Sequence, residues 1–189
     1  MGSDDPEEQL VLAAQGGDRV ALEALLRQEY QRLYAVCRRL TGNDADGADA
    51  TQEALMALVR GLPHFRSGSR FSTWAYRVAV NASLDELRRR RRRPQPAPDE
   101  LLPADSANAG PEDVATRIDV EAALRRLPGD YRAAVVLRDL CGLDYAEIGE
   151  VLGIPPGTVR SRIARGRAGL VPLLGGNPEP SSDRPTAEP

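Results

Sequence analysis

Apolar residues recur at three- and four-residue intervals along two separate stretches of the chain, and the predicted architecture follows from that rhythm. Leu10, Ala13 and Ala14 begin the first series, and Leu22, Leu25, Leu26, Leu33 and Val36 continue it. No strand-like alternation of useful length interrupts it, so successive helices are expected from Pro6 to about Arg93. Gly16-Gly17-Asp18 and Thr41-Gly42-Asn43-Asp44 each join a helix-stopping glycine to a capping side chain, which predicts turns there. The next helix should run from about Ala45 to Leu62. Between Pro94 and Pro111 five prolines, several alanines and small polar residues replace the periodic pattern, as in an extended, mobile linker. A second helical series covers roughly Val114 to Leu174, with breaks at Leu127-Pro128-Gly129-Asp130, at Cys141-Gly142 and at Gly153-Ile154-Pro155-Pro156. The expected fold is all-α, with two small helical domains joined by a flexible linker. Its divisions are an N-terminal helix or extension (1–19), a first domain (20–93), the linker (94–113), a second domain (114–174) and a disordered tail (175–189).

A chain of 189 residues accommodates two such small domains. Its 41% apolar and 28% charged residues are globular in balance, and no apolar run approaches the ~20 residues that span a bilayer. Residues 1–6 are acidic and lack the basic and apolar parts of a secretory signal, so a cytoplasmic protein without membrane insertion is expected. Cys37 and Cys141 are far apart and show no CxxC spacing; buried, reduced thiols fit them better than a disulfide or a zinc site.

The net charge of −3 conceals a segregated distribution. Residues 1–59 carry 11 acids and 5 arginines, residues 60–93 carry 10 arginines and 2 acids, and residues 94–121 return to 7 acids and 1 arginine. A second basic stretch, 155–170, holds Arg160, Arg162, Arg165 and Arg167 and no acid. Two separated basic surfaces suggest two contacts with a polyanion. Every basic residue is arginine, as a GC-rich genome produces, and arginine also suits bidentate phosphate and guanine contacts.

From Tyr145 to Gly166 the parts of a helix-turn-helix follow in order. Gly153 permits the tight turn, and Ile148, Leu152 and Ile154 are placed to pack on Val159 and Ile163. At about 100° per residue, Ser161, Ala164 and Ala168 then lie opposite Val159, with Arg160 and Arg167 on one flank and Arg165 on the other. Small residues at the centre let a helix enter a major groove while flanking arginines reach phosphates and guanine edges. A solvated helix in an ordinary bundle is the blander reading.

Both phenylalanines and the single tryptophan fall within Phe65 to Trp74, inside the most basic region. Residues 65–71 read as a loop, opening a helix at Ser72-Thr73-Trp74 with a hydroxyl cap in its first turn. Aromatic rings beside arginines suit stacking on unpaired bases, although the same rings could simply fill the core. In helix 45–62, Asp46, Asp49 and Glu53 share one face, with Leu55, Leu58 and Val59 expected opposite. That acidic stripe fits either a basic protein partner or solvent. The run Arg88 to Arg93 surrounds a helix end and attracts phosphate without specifying sequence.

The order of these features resembles one family, the extracytoplasmic-function sigma factors of the sigma-70 superfamily, across most of residues 20–172. Asp44-Ala45-Asp46 through Gln52-Glu53 is similar to the part of region 2 that grips the clamp coiled coil of the polymerase β′ subunit. The resemblance thus implies core-polymerase contacts at Asp46, Asp49, Gln52 and Glu53. FRSGSRFSTWAYRVAVN, residues 65–81, resembles the part that recognises and melts the −10 element. It implies contacts with single- and double-stranded promoter DNA at Phe65, Arg66, Ser67, Gly68, Ser69, Arg70, Trp74, Arg77, Asn81 and Arg88, the loop capturing a flipped base. The stretch LRRLPGDYRAAVVLRDLCGLDYAEIGEVLGIPPGTVRSRIARGRAGL from Leu124 is similar to region 4, which reads the −35 element. That likeness implies DNA contacts at Thr158, Arg160, Ser161, Ala164, Arg165 and Arg167. Gly149 departs from the family's usual alanine, which predicts a helix penalty of about 1 kcal/mol and no functional consequence.

The resemblance also implies an anti-sigma partner, no cofactor, no metal and no catalytic residue, the chemistry belonging to the polymerase. Each domain would hold one half of the promoter, the linker leaving their separation unset until the polymerase fixes it. A stand-alone helix-turn-helix repressor would use 155–170 equally well but leaves the 65–81 cluster unexplained. A helical enzyme lacks any grouped nucleophile, base or metal set, and His64 reads as a loop residue.

Overall fold

The computed structural model describes residues 6–66, 70–92 and 120–174. Residues 1–5, the loop residues Ser67, Gly68 and Ser69, the expected linker 94–113 and the expected tail 175–189 lie outside the described residues. The first domain comprises α1 (Pro6–Gln15), α2 (Arg19–Thr41), α3 (Asp44–Gly61), a 3-10 turn (Leu62–His64) and α4 (Phe71–Arg92). The second comprises α5, seen over 120–126, α6 (Gly129–Val135), a π-helical turn (Val136–Leu140), α7 (Tyr145–Leu152), α8 (Pro156–Leu170) and a closing 3-10 turn (Val171–Leu173).

Local chemistry sets the boundaries. Asp18 caps α2 by accepting from the amides of Val20 and Ala21, and Asn43 caps α3 by accepting from Asp46 at 2.8 Å. The α2–α3 turn passes through Gly42 at φ 86°. Observed α3 starts one residue before its predicted position and ends one residue earlier. Helix α4 begins at Phe71, and Arg70, rather than Ser72, occupies the capping position, its carbonyl accepting from the Trp74 amide at 3.2 Å.

The core of the first domain joins Leu25, Leu33, Val36 and Leu40 of α2 to Ala50, Ala54 and Leu58 of α3 and Ala75, Ala79 and Val80 of α4. One face of each helix is thus apolar at 3.6-residue spacing, the arrangement that holds a three-helix bundle. The second domain is smaller, built on Ala134, Leu137, Ile148, Val159 and Ile163. Its burial alone is marginal for an independent fold, and it leans on the first domain.

The separation of the two domains is not left unset. Arg132, itself buried, donates to the Leu40 carbonyl at 2.7 Å, Arg125 donates to the Gly42 carbonyl at 3.1 Å, and Arg38 pairs with Glu121. The second domain thereby caps the C-terminal end of α2, where unsatisfied carbonyls accumulate negative charge. Helix α4 packs on α7, and Tyr76 and Cys141 lie beside each other across the same interface.

Candidate nucleic-acid interface

Helix α7 opens on a capping box, Asp144 accepting from the Ala146 and Glu147 amides while the Glu147 carboxylate accepts from the Asp144 amide. It closes at Gly153, whose φ of 65° turns the chain into α8. A Cβ on Gly149 would stand 2.8 Å from the Ile154 carbonyl oxygen, because the turn folds back onto that position. The glycine is therefore a close-packing requirement of the helix-turn-helix, which corrects the reading of Gly149 as a bare propensity penalty.

In α8, Val159, Ile163 and Gly166 face the core, and Arg160, Ser161, Ala164, Arg165, Arg167 and Ala168 are exposed, as the helical spacing predicts. Thr158 is half-buried, and its carbonyl accepts from the Ser161 hydroxyl at 2.9 Å. The four arginines of α8 are each met by a residue of the preceding elements. Arg162 pairs with Asp130 at 2.9 Å. Arg165 donates to the Tyr131 hydroxyl at 3.4 Å. Arg167 is bound by the Asp139 carboxylate through two donors, which raises its pKa. Arg160 lies over the ring of Tyr145, 5.8 Å from its centroid, and Arg138 lies over the same ring at 5.2 Å. None of these supporting residues was singled out from sequence, because each lies at least 15 positions from its arginine and only the fold makes them neighbours.

Arg70 at the cap of α4 and Arg77, Asn81 and Arg88 along it are exposed, and their spacing of seven, four and seven residues aligns them on one stripe of a helix repeating every 3.6 residues. Arg88 is also paired with Asp85 at 2.7 Å. Phe65, Phe71 and Trp74 form one aromatic cluster with centroids 4.9–5.6 Å apart. Phe71 is buried while Phe65 and Trp74 are half-buried, so packing claims much of each ring. The edge-to-face contact of Phe65 on Phe71 ties together the two ends of the 66–70 loop. Gln15 of α1 adds a second anchor, donating to the carbonyls of Leu62 at 2.9 Å and Phe65 at 2.8 Å. Arg66 is exposed at the loop's start.

On α3, Asp49 and Gln52 are exposed, and Asp46 and Glu53 are half-buried. Asp46 is committed within the domain, accepting from Arg90 at 3.0 Å and from the Asn43 side chain at 2.7 Å. Val59 does not join Leu58 on a buried face as expected: it is 40% exposed and Met56 is 38% exposed. The steps from Asp49 to Gln52, Met56 and Val59 make one outward stripe, polar at its start and apolar at its end. Beside it, Leu55 joins Leu22, Leu26 and Tyr30 of α2 in a groove of about 690 Å³.

The comparisons agree with this arrangement of parts. Residues 25–93 match the Sigma-70 region 2 family, and residues 117–170 match Sigma-70, region 4. The chain is 38% identical over 169 residues to the ECF RNA polymerase sigma factor SigM of Mycobacterium tuberculosis, covering 89% of this chain and 85% of that one. It is 31% identical to SigW of Bacillus subtilis, covering 82% and 89% of the two chains. Among solved structures, CnrH in complex with the cytosolic domain of CnrY superposes with a TM-score of 0.69 at 24% identity, over 90% of this chain and 98% of that one. The sigma factor RpoE of Bartonella quintana, in complex with the anti-sigma factor NepR, gives 0.67 at 24% identity over 86% and 98%.

Two helical domains that match sigma-70 regions 2 and 4 define a protein of the promoter-recognition class. The chain belongs to the extracytoplasmic-function sigma factors of the sigma-70 family, RNA polymerase subunits that direct transcription initiation. Sigma factors are initiation factors and not enzymes. Among the described residues no helix is long and apolar enough to cross a membrane, and no cluster of His, Cys, Asp and Glu is placed to hold a metal.

Proposed function

We propose that this sigma factor divides promoter binding among three surfaces. The α3 stripe of Asp49, Gln52, Met56 and Val59, with Glu53 and Asp46 at its margin, docks on the clamp coiled coil of the polymerase β′ subunit. The stripe beginning at Arg70 on α4, together with the loop held by Phe65 and Phe71, binds the −10 element and takes up an unpaired base. The outward face of α8 enters the major groove at the −35 element. The observation that carries the reading is the pair of exposed arginine stripes on separate domains, each backed by an ordered core.

Basic stripes supply salt-dependent attraction to phosphate, and the small side chains of Ser161, Ala164 and Ala168 permit close approach to base edges. The protein works in the cytoplasm, where the polymerase and the DNA are. Its partner in the resting state is an anti-sigma factor, a reading that two relatives of the same fold support by being solved in such complexes.

Run-off transcription with purified core polymerase tests the proposal. Added sigma factor should confer initiation at selected promoters, and arginine-to-alanine changes on the α4 stripe should abolish opening while sparing polymerase binding. Absence of a complex with core polymerase, or promoter opening indifferent to the α4 changes, refutes it.

A further inference from the structure

The arginines of α8 look equivalent by charge, and their neighbours separate them. A carboxylate partner consumes both the charge and the hydrogen-bond donors of a guanidinium, and Arg162 and Arg167 are matched in this way to Asp130 and Asp139. The Tyr131 hydroxyl takes one donor of Arg165. A ring face attracts the cation electrostatically and leaves its N–H donors unused. Arg160 is held in this last way by Tyr145, and among the described residues no oxygen takes up its donors.

Tyr145 is well placed for such a task. It sits at the first position of α7, directly after the Asp144 cap, so its backbone is fixed by the capping box. Arg138, which shares the ring, is independently secured by donating to the Leu143 carbonyl at 2.7 Å. Arg160 lies in the N-terminal half of α8, the part of a recognition helix that meets base edges.

We propose that Tyr145 is a positioning residue for Arg160, holding its guanidinium for bidentate contact with one guanine of the −35 element. Arg162 and Arg167 then serve the second domain's own structure. The inference rests on the reading of α8 as the −35 helix. Arginine is the side chain whose fork matches guanine O6 and N7, and restricting its rotamers beforehand favours that contact over looser phosphate contacts.

The test uses holoenzyme, the full chain reconstituted with core polymerase, selecting from a double-stranded DNA pool randomised across the −35 region. Wild-type selection should show a preference of roughly 10-fold or more for guanine at one position. Arg160→Ala should erase preference at that position alone. Tyr145→Leu should weaken it several-fold at the same position, the double variant should match Arg160→Ala, and Tyr145→Phe should behave as wild type. The salt dependence of binding should be unchanged by Tyr145→Leu, because no phosphate contact is lost.

If Arg160→Ala keeps the wild-type preference, the −35 reading of this helix and the inference fall together. If Arg160→Ala loses it while Tyr145→Leu does not, the inference alone falls. It also falls if Tyr145→Phe fails like Tyr145→Leu, or if Tyr145→Leu weakens binding uniformly with a shallower salt slope, since either result makes Tyr145 a phosphate ligand. Circular dichroism and melting of Tyr145→Leu verify the fold, the side chain being 36% exposed and replaceable there.

Discussion

Arg132 of the second domain and Leu40 of the first are joined by a 2.7 Å hydrogen bond from guanidinium to carbonyl, so one buried cation closes the end of a helix in the other domain. Arg132 also donates to the carbonyls of Arg125 at 2.7 Å and Leu127 at 3.1 Å, and burial lowers its pKa, with the charge of Arg125 adding to the effect. Arg132→Met removes these donors without stranding a charge. The expected loss is about 2–4 kcal/mol in urea unfolding, together with a larger radius of gyration by small-angle scattering. An unchanged radius would mean that the contacts around Tyr76 and Cys141 suffice to hold the domains.

Glu29 lies on the apolar stripe of α2 with only 2% exposure, its Oε2 unpartnered and Arg32 3.5 Å away. Desolvation raises its pKa above the ordinary 4.5; Arg32 opposes the rise and Glu7 of α1 reinforces it. A carboxyl whose folded pKa is raised contributes stability that is present below the unfolded pKa and is lost as pH climbs through the folded value. Glu29→Gln, which mimics the neutral acid, should therefore stabilise the protein at pH 7 by about 1 kcal/mol. The gain should vanish as the pH falls towards 4.5. Urea titrations at pH 4.5 and 7 read both effects, and a loss at pH 7 would show the Arg32 pairing to outweigh burial.

Gly149→Ala sets helix propensity against packing. Alanine adds about 1 kcal/mol of intrinsic helix stability, while its Cβ must displace the Ile154 carbonyl from 2.8 Å. That carbonyl belongs to the turn that aims α8, and backbone cannot yield as a flexible side chain does. Overpacking costs of about 1–3 kcal/mol should win, giving a lower melting temperature and weaker promoter binding. A raised melting temperature would return the position to a propensity effect.

The helices and turns of both domains, and the outward face of α8, were legible because they depend on neighbours within a few residues. Asp18, Asn43 and Gly153 act on the next turn of chain, and Val159 and Ile163 identify the inner side of α8 by spacing alone. What escaped depends on distant contacts. Arg132 and Glu29 are charged and yet buried, with nothing in their local sequence to mark them, and Val59, expected on the apolar face of α3, is exposed. The capture of Arg167 by Asp139, 28 residues away, requires the π-helical turn that carries Asp139.

Cys141 and Tyr76 report on the domain interface at alkaline pH. Burial pushes the Cys141 thiol up to about 11 from 9.0, and it also pushes the Tyr76 phenol above its ordinary 10.0. Both groups favour folding while neutral, so stability should hold to about pH 8.5 and decline as the pH rises from 9 through 11. Cys141→Ala should flatten part of that decline. Urea midpoints between pH 7 and 11 measure it, and a profile unaltered by Cys141→Ala would place the thiol outside the coupled contact.

Asp46 and Asp49, three residues apart on α3, should separate stability from polymerase binding. Asp46 accepts from Arg90, from the Asn43 side chain and sits where the helix dipole favours an anion. Asp49 is exposed, and among the described residues no hydrogen bond or ion pair engages its carboxylate. Asp46→Ala should therefore cost about 1 kcal/mol of folding stability. Asp49→Arg should leave the melting temperature unchanged and weaken core-polymerase affinity by about 10-fold or more, since a reversed charge on a basic partner surface replaces attraction with repulsion. Val59→Asp should act similarly through the apolar end of the stripe, where a carboxylate would be desolvated against the clamp. Competition with a labelled wild-type chain for limiting core polymerase measures each affinity. Equal competition by Asp49→Arg and Val59→Asp would move the docking surface off α3.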